Sequence, residues 1–100
     1  MTSAYSKIVS KSKALKFEAS RNYRSNADSS MPYEELIVVN EKYPDTYFLV
    51  HKNMLFHRSS ISDTSYDVYS FDKEGNYIKR ESVEELGLDF FRNMKQIKKV

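Results

Sequence analysis

The chain has no cysteine and no tryptophan, and only two glycines and two prolines in 100 residues. Without cysteine there is no disulfide framework and no thiolate metal site, which fits a reducing compartment. With its two glycines at positions 75 and 87, the chain forms none of GxGxxG, GxxxxGK[ST] or GxSxG, so the sequence holds no phosphate-cradling loop and no nucleophile elbow, and no nucleotide cofactor is expected. No apolar run approaches the roughly 20 residues that cross a bilayer. The N-terminal lysines are not followed by the apolar stretch of a signal peptide. The expectation is a cytoplasmic protein of one domain, long enough to fold around its own core.

What is abundant is charge and tyrosine. The net charge of +2 hides an asymmetry: residues 1–27 hold six basic side chains and one acid, and residues 28–100 hold ten basic and thirteen acidic ones, giving +5 against −3. Such polarity suits a polyanion or an acidic protein surface, or else a solvated tail. Residues 1–30 therefore read as a basic N-terminal arm and polar linker, and residues 31–100 as a compact α+β domain.

Within the arm, Tyr5, Ile8, Ser12, Leu15 and Ala19 keep helical spacing, while Leu15, Phe17 and Ala19 alternate with charged neighbours. The expectation is a short helix near residues 4–13 and an extended piece through residue 20. Ser20–Ser30 is polar and aperiodic, as a linker would be. Leu36-Ile37-Val38-Val39 is mostly β-branched and reads as a strand, although Pro32, Glu34 and Glu35 also suit a helix start. Glu41–Asp45, with Pro44, reads as a turn.

The central stretch, residues 46–58, holds two apolar runs, Tyr47–Val50 and Met54–Phe56, around His51-Lys52-Asn53. It reads as a buried β-hairpin. Residues 59–65 read as a loop. Tyr66–Phe71 and Asn76–Arg80 form a second hairpin around Asp72-Lys73-Glu74-Gly75. Ser82 followed by Glu85 is a capping box. Val83, Leu86, Phe90, Met94 and Ile97 make the core-facing stripe of a C-terminal amphipathic helix, with Gly87 as a kink or break. The predicted fold is α+β: an antiparallel sheet of four to five strands, the C-terminal helix on one face, and a basic N-terminal segment.

Candidate chemistry is sparse. His51 and His57, with Arg58 against phosphate charge, are the residue types a metal-independent ribonuclease needs, one imidazole taking a proton and the other giving one. A two-residue turn at Lys52-Asn53 sends the imidazoles to opposite faces; a three-residue turn centred on Asn53 puts them on one face, and the sequence leaves both open. No third ligand at metal spacing accompanies them, and Asp72–Asn76 lacks the glycine position of a calcium loop. Lys7, Lys11, Lys13 and Lys16 with Arg21, Tyr23 and Arg24 combine phosphate-neutralising cations with a stacking ring. Tyr66, Tyr69 and Tyr77 on the second hairpin are candidates for a protein-binding face. The leading expectation is a small non-enzymatic interaction or regulatory protein that binds nucleic acid or inhibits a protein handling it. The lysine-, asparagine- and tyrosine-rich composition fits a viral or mobile-element accessory factor.

Overall fold

The computed structural model describes the backbone of residues 2–25, 28–57 and 60–100, and the side chains of residues 4–18, 34–53 and 65–100. The described elements run α1 (Thr2–Ser25), β1 (Asp28–Asn40), β2 (Thr46–His57), β3 (Ser60–Asp72), β4 (Tyr77–Glu81), α2 (Val83–Asn93) and β5 (Met94–Lys99). The strands form one antiparallel sheet in the order β4-β3-β2-β1-β5. The fold is α+β, with α1 on one face of the sheet and α2 on the other.

Alternation along the strands builds two cores. Leu36, Val38, Phe48, Val50 and Val68 point towards α2, where buried Phe90 meets them and Val83, Leu86, Phe91 and Met94 pack around. Ile37, Leu49, Tyr69 and Phe71 point towards α1 and receive Ile8, with Tyr5, Val9, Leu15, Tyr47 and Val100 at the margin. Burying each large apolar side chain contributes about 1.5–3 kcal/mol. Phe90 is fixed by edge-to-face contact with Phe48 at 4.9 Å and with Phe91 at 5.2 Å.

Five local expectations are corrected. Residues 46–57 are one strand and not a hairpin, because the polar break is satisfied in place. His51 meets Ser12 of α1, Lys52 reaches Glu34 of β1 at 3.1 Å, and the Asn53 amide donates to Asp67 of β3 at 2.8 Å. The segment expected as a loop lies largely within β3, which begins at Ser60 and pairs with β2 throughout.

The N-terminal helix does not stop near residue 13. It continues to Ser25, since Ala4, Ile8, Ser12 and Leu15 keep one stripe on the sheet, while Phe17, the middle of the alternating trio, is 64% exposed. Chain expected as linker is thus helical through Ser25 and strand from Asp28; residues 26 and 27 lie outside the described set.

The C-terminal helix ends at Asn93, and Met94–Lys99 is a strand beside β1. Edge groups of Leu36–Asn40 would otherwise lack ladder partners, and β5 supplies them. Ser82 caps α2 as expected, its hydroxyl accepting the Glu85 amide at 3.3 Å. Gly87 breaks the helix at φ 74°, ψ 177°, which leaves Leu88 73% exposed.

Candidate functional site

Helix α1 crosses the sheet where the two strands that flank β2 carry carboxylates. In register with His51 are Glu35 on β1 and Asp67 on β3. Each carboxylate has a cation: Lys16 lies 3.3 Å from Glu35, and Arg80 of β4 binds Asp67. From α1, the Ser12 Oγ lies 3.0 Å from the His51 Nε2. Ser12 and His51 are 0% and 1% exposed. Burial pushes the imidazole below its ordinary value, against the opposing pull of Glu35 and Asp67. His51 is therefore neutral at neutral pH. Asn53, two residues on and equally buried, gives its amide to Asp67 while its Oδ1 has no hydrogen-bond partner among the described residues.

This cluster has the residue types of nucleophilic catalysis, but both the hydroxyl and the imidazole are closed off from solvent. Its physical role is to key α1 to the sheet: a serine in an apolar stripe finds its partner only where the imidazole stands. The signal for it in the sequence was Ser12, the polar member of the Ala4–Ile8–Ser12–Leu15 stripe.

The two histidines are not brought together. They stand six residues apart on one continuous strand, about 20 Å at the usual rise. The side chain of His57 and all of Arg58 lie outside the described residues. No group of three or more metal-ligating His, Cys, Asp or Glu side chains converges among the described residues.

The expected tyrosine face divides. Tyr66 packs on Phe91 of α2 at 5.5 Å, whereas Tyr69 and Tyr77 share the α1 face, 6.4 Å apart. Residues 66 and 69 differ in parity on one strand, so alternation sends them to opposite sides. Tyr69 is buried against His51, and that burial pushes its hydroxyl up to about 12.

The expected basic residues lie on the α1 face. The Lys7 ammonium donates to the Asn76 Oδ1 at 3.1 Å, and Lys11 stands 4.5 Å over the Tyr77 ring. Lys13 is exposed and Lys16 is paired with Glu35. Arg21, Tyr23 and Arg24 fall on the last turns of α1, their side chains outside the described set. Strand β5 adds cations that sequence reading assigned to the end of a helix. Lys98 is in register with inward Ile37 and lies 5.9 Å over Tyr5 of α1, and beyond a register shift Lys95 is opposite Val39, which shares the parity of Ile37 on β1. Glu81, Glu84, Glu85 and Asp89 lie on the opposite, α2 side of the sheet.

No helix among the described residues is long and apolar enough to cross a membrane. The chain matches no protein-family model, no curated protein and no solved structure.

Proposed function

We propose that the protein is a small non-enzymatic interaction protein of the cytoplasm that binds nucleic acid through the face formed by α1 and β5. By occupying the nucleic acid it would regulate or block the proteins that act on it. The observation that carries this reading is the gathering of cations from both ends of the chain on one side of the sheet. Lys7, Lys11 and Lys13 from the N-terminus and Lys95 and Lys98 from the C-terminus share one side, joined where Lys98 covers Tyr5. A surface of clustered cations neutralises phosphates and releases their counterions, whatever the base sequence. The burial of Ser12 and His51 supports a binding role over a hydrolytic one.

The test is fluorescence anisotropy with short labelled oligonucleotides, single- and double-stranded, across a salt series. Engagement of four or five phosphates predicts a log–log salt slope of about −3 for single strands. The triple variant Lys7→Glu, Lys13→Glu, Lys98→Glu should weaken binding about 100-fold at low salt, and Lys42→Glu with Arg92→Glu should change it little. Absence of binding by the unmodified protein at about 50 mM salt, where such contacts are strong, ends this reading.

A further inference from the structure

Strand β4 covers only part of β3. Their pairing runs from Val68 opposite Glu81 to Phe71 opposite Tyr77, whereas β3 begins at Ser60. Over Ser60–Asp67, β3 is bonded to β2 on one side, and among the described residues no strand lies on its other side. Alternate backbone N–H and C=O groups of that stretch point out of the sheet and offer a template for another extended chain. The lane is empty because Ser82 turns the chain out of β4 and into α2. Where it departs, a groove of about 500 Å³ opens, lined by Tyr66, Asp67, Arg80, Glu81, Val83 and Glu84 among others.

The chemistry of the groove selects its occupant. Asp67 is engaged by Arg80 and Asn53. Glu81 accepts the Ser70 hydroxyl and has Lys79 3.8 Å away, and Glu84 is exposed. Tyr66, held by Phe91, keeps 37% of its surface exposed. A tyrosine ring beside two carboxylates favours an ammonium or guanidinium group. Phosphate is disfavoured here, so this surface is separate from the nucleic-acid face. A second copy of the same edge also fits poorly, since residues 60–67 contain Asp63 and Asp67 and no lysine or arginine.

We propose that the free edge of β3 from Ser60 to Asp67 receives an extended, lysine- or arginine-bearing segment of a partner protein. The segment adds as a strand antiparallel to β3 in the lane that β4 vacates, and its basic side chain seats on Tyr66 between Glu81 and Glu84. Main-chain hydrogen bonds supply affinity and the groove supplies selectivity for a cation.

The experiment uses the full chain and three synthetic probes of equal length: an alternating threonine–valine peptide carrying two lysines, the same peptide with glutamates for the lysines, and the lysine peptide N-methylated at alternate positions. Anisotropy should rise for the lysine peptide alone. Hydrogen exchange should then slow at alternate amides within Ser60–Asp67 and be unchanged at β5. Glu84→Lys, an exposed substitution that leaves the core intact, should weaken binding about fivefold, the range of an exposed ion pair. Equal binding of the N-methylated peptide overturns strand addition, and equal binding of the glutamate peptide overturns the assignment of the groove. Failure of the lysine peptide to bind or protect any β3 amide overturns the proposal entirely. Protection of those amides in the protein alone, with sedimentation as a dimer, assigns the edge to a second copy instead.

Discussion

The Ser12 hydroxyl and the His51 imidazole meet at 3.0 Å inside the protein, 39 residues apart in sequence and each sealed from solvent. This contact fixes where along the sheet helix α1 sits, because each polar group has its partner only in that position. Removing one member leaves the other buried and unsatisfied. Ser12→Ala should therefore lower unfolding free energy by about 1–3 kcal/mol in urea denaturation. A loss below about 0.5 kcal/mol, the size of a neutral surface change, would mean that the pair contributes nothing to keying the helix.

The same imidazole makes stability depend on pH. Its folded pKa is lowered by burial, with Glu35 and Asp67 opposing and Lys16 reinforcing the effect. Between the folded value and the ordinary value of about 6.5, the unfolded chain binds a proton that the folded chain does not. The contribution of His51 is therefore present in full above about pH 6.5 and is lost as pH falls through the folded pKa. Chemical denaturation across this window should show stability falling with acidification, and His51→Gln should flatten that portion of the curve. Below it the carboxylates take over. Asp72 is held low by the backbone amide of Asn76 first, and Glu34 by Lys52 first, so both favour the folded state less as acid protonates them.

Gly75 should tolerate no side chain. It sits at φ 90° in the turn between β3 and β4, and a Cβ there would lie 2.5 Å from the carbonyl oxygen of Ala4. The neighbour is backbone of α1 and cannot rotate away. Gly75→Ala should cost more than the ~1–3 kcal/mol of the strained backbone alone. Gly87→Ala, at φ 74° but with open space around the new methyl, should cost only the backbone strain. Thermal melts of the two variants give the comparison directly.

Truncation of the N-terminal segment should unfold the protein. Ile8 is fully buried among Ile37, Leu49, Tyr69 and Phe71, and deletion through residue 25 would open that face of the sheet to water. Loss of the cooperative transition in circular dichroism is the expected outcome. A truncated chain that melts cooperatively would show that the α2 side alone sustains the sheet. Charge reversal, and not deletion, is consequently the proper test of the basic face.

On the other side, Phe90→Ala should cost about 3–5 kcal/mol, the usual range for an aromatic removed from a packed core. Phe90 touches both Phe48 and Phe91, and its carbonyl accepts the amide of buried Asn40 at 3.0 Å. Leu88→Ser, two residues away, should fall within about 0.5 kcal/mol of the unmodified protein, because Leu88 stands in solvent. Equal effects would contradict the break at Gly87.

By itself the sequence determined the class of fold and several elements. The β-branched run Leu36–Val39, the aromatic-rich strand Tyr66–Phe71, the turn at Asp72–Gly75 and the cap at Ser82 are local signals, and local physics sufficed to place them. It also determined the charge asymmetry and the absence of nucleotide-loop motifs. Tertiary structure decided everything that depended on a distant partner. His51-Lys52-Asn53 looks like a turn until Ser12, Glu34 and Asp67 satisfy it, and then strand geometry costs nothing. Met94–Lys99 continues a helical stripe until the open edge of β1 offers a ladder, and the backbone takes that pairing instead. Residues 15–19 hold two competing periodicities, and the stripe already docked through Ile8 and Ser12 carries the helix onward. The meeting of the N-terminal lysines with Lys95 and Lys98 is likewise a product of sheet order, because β5 returns beside β1 and under α1. No window of sequence contains that neighbourhood.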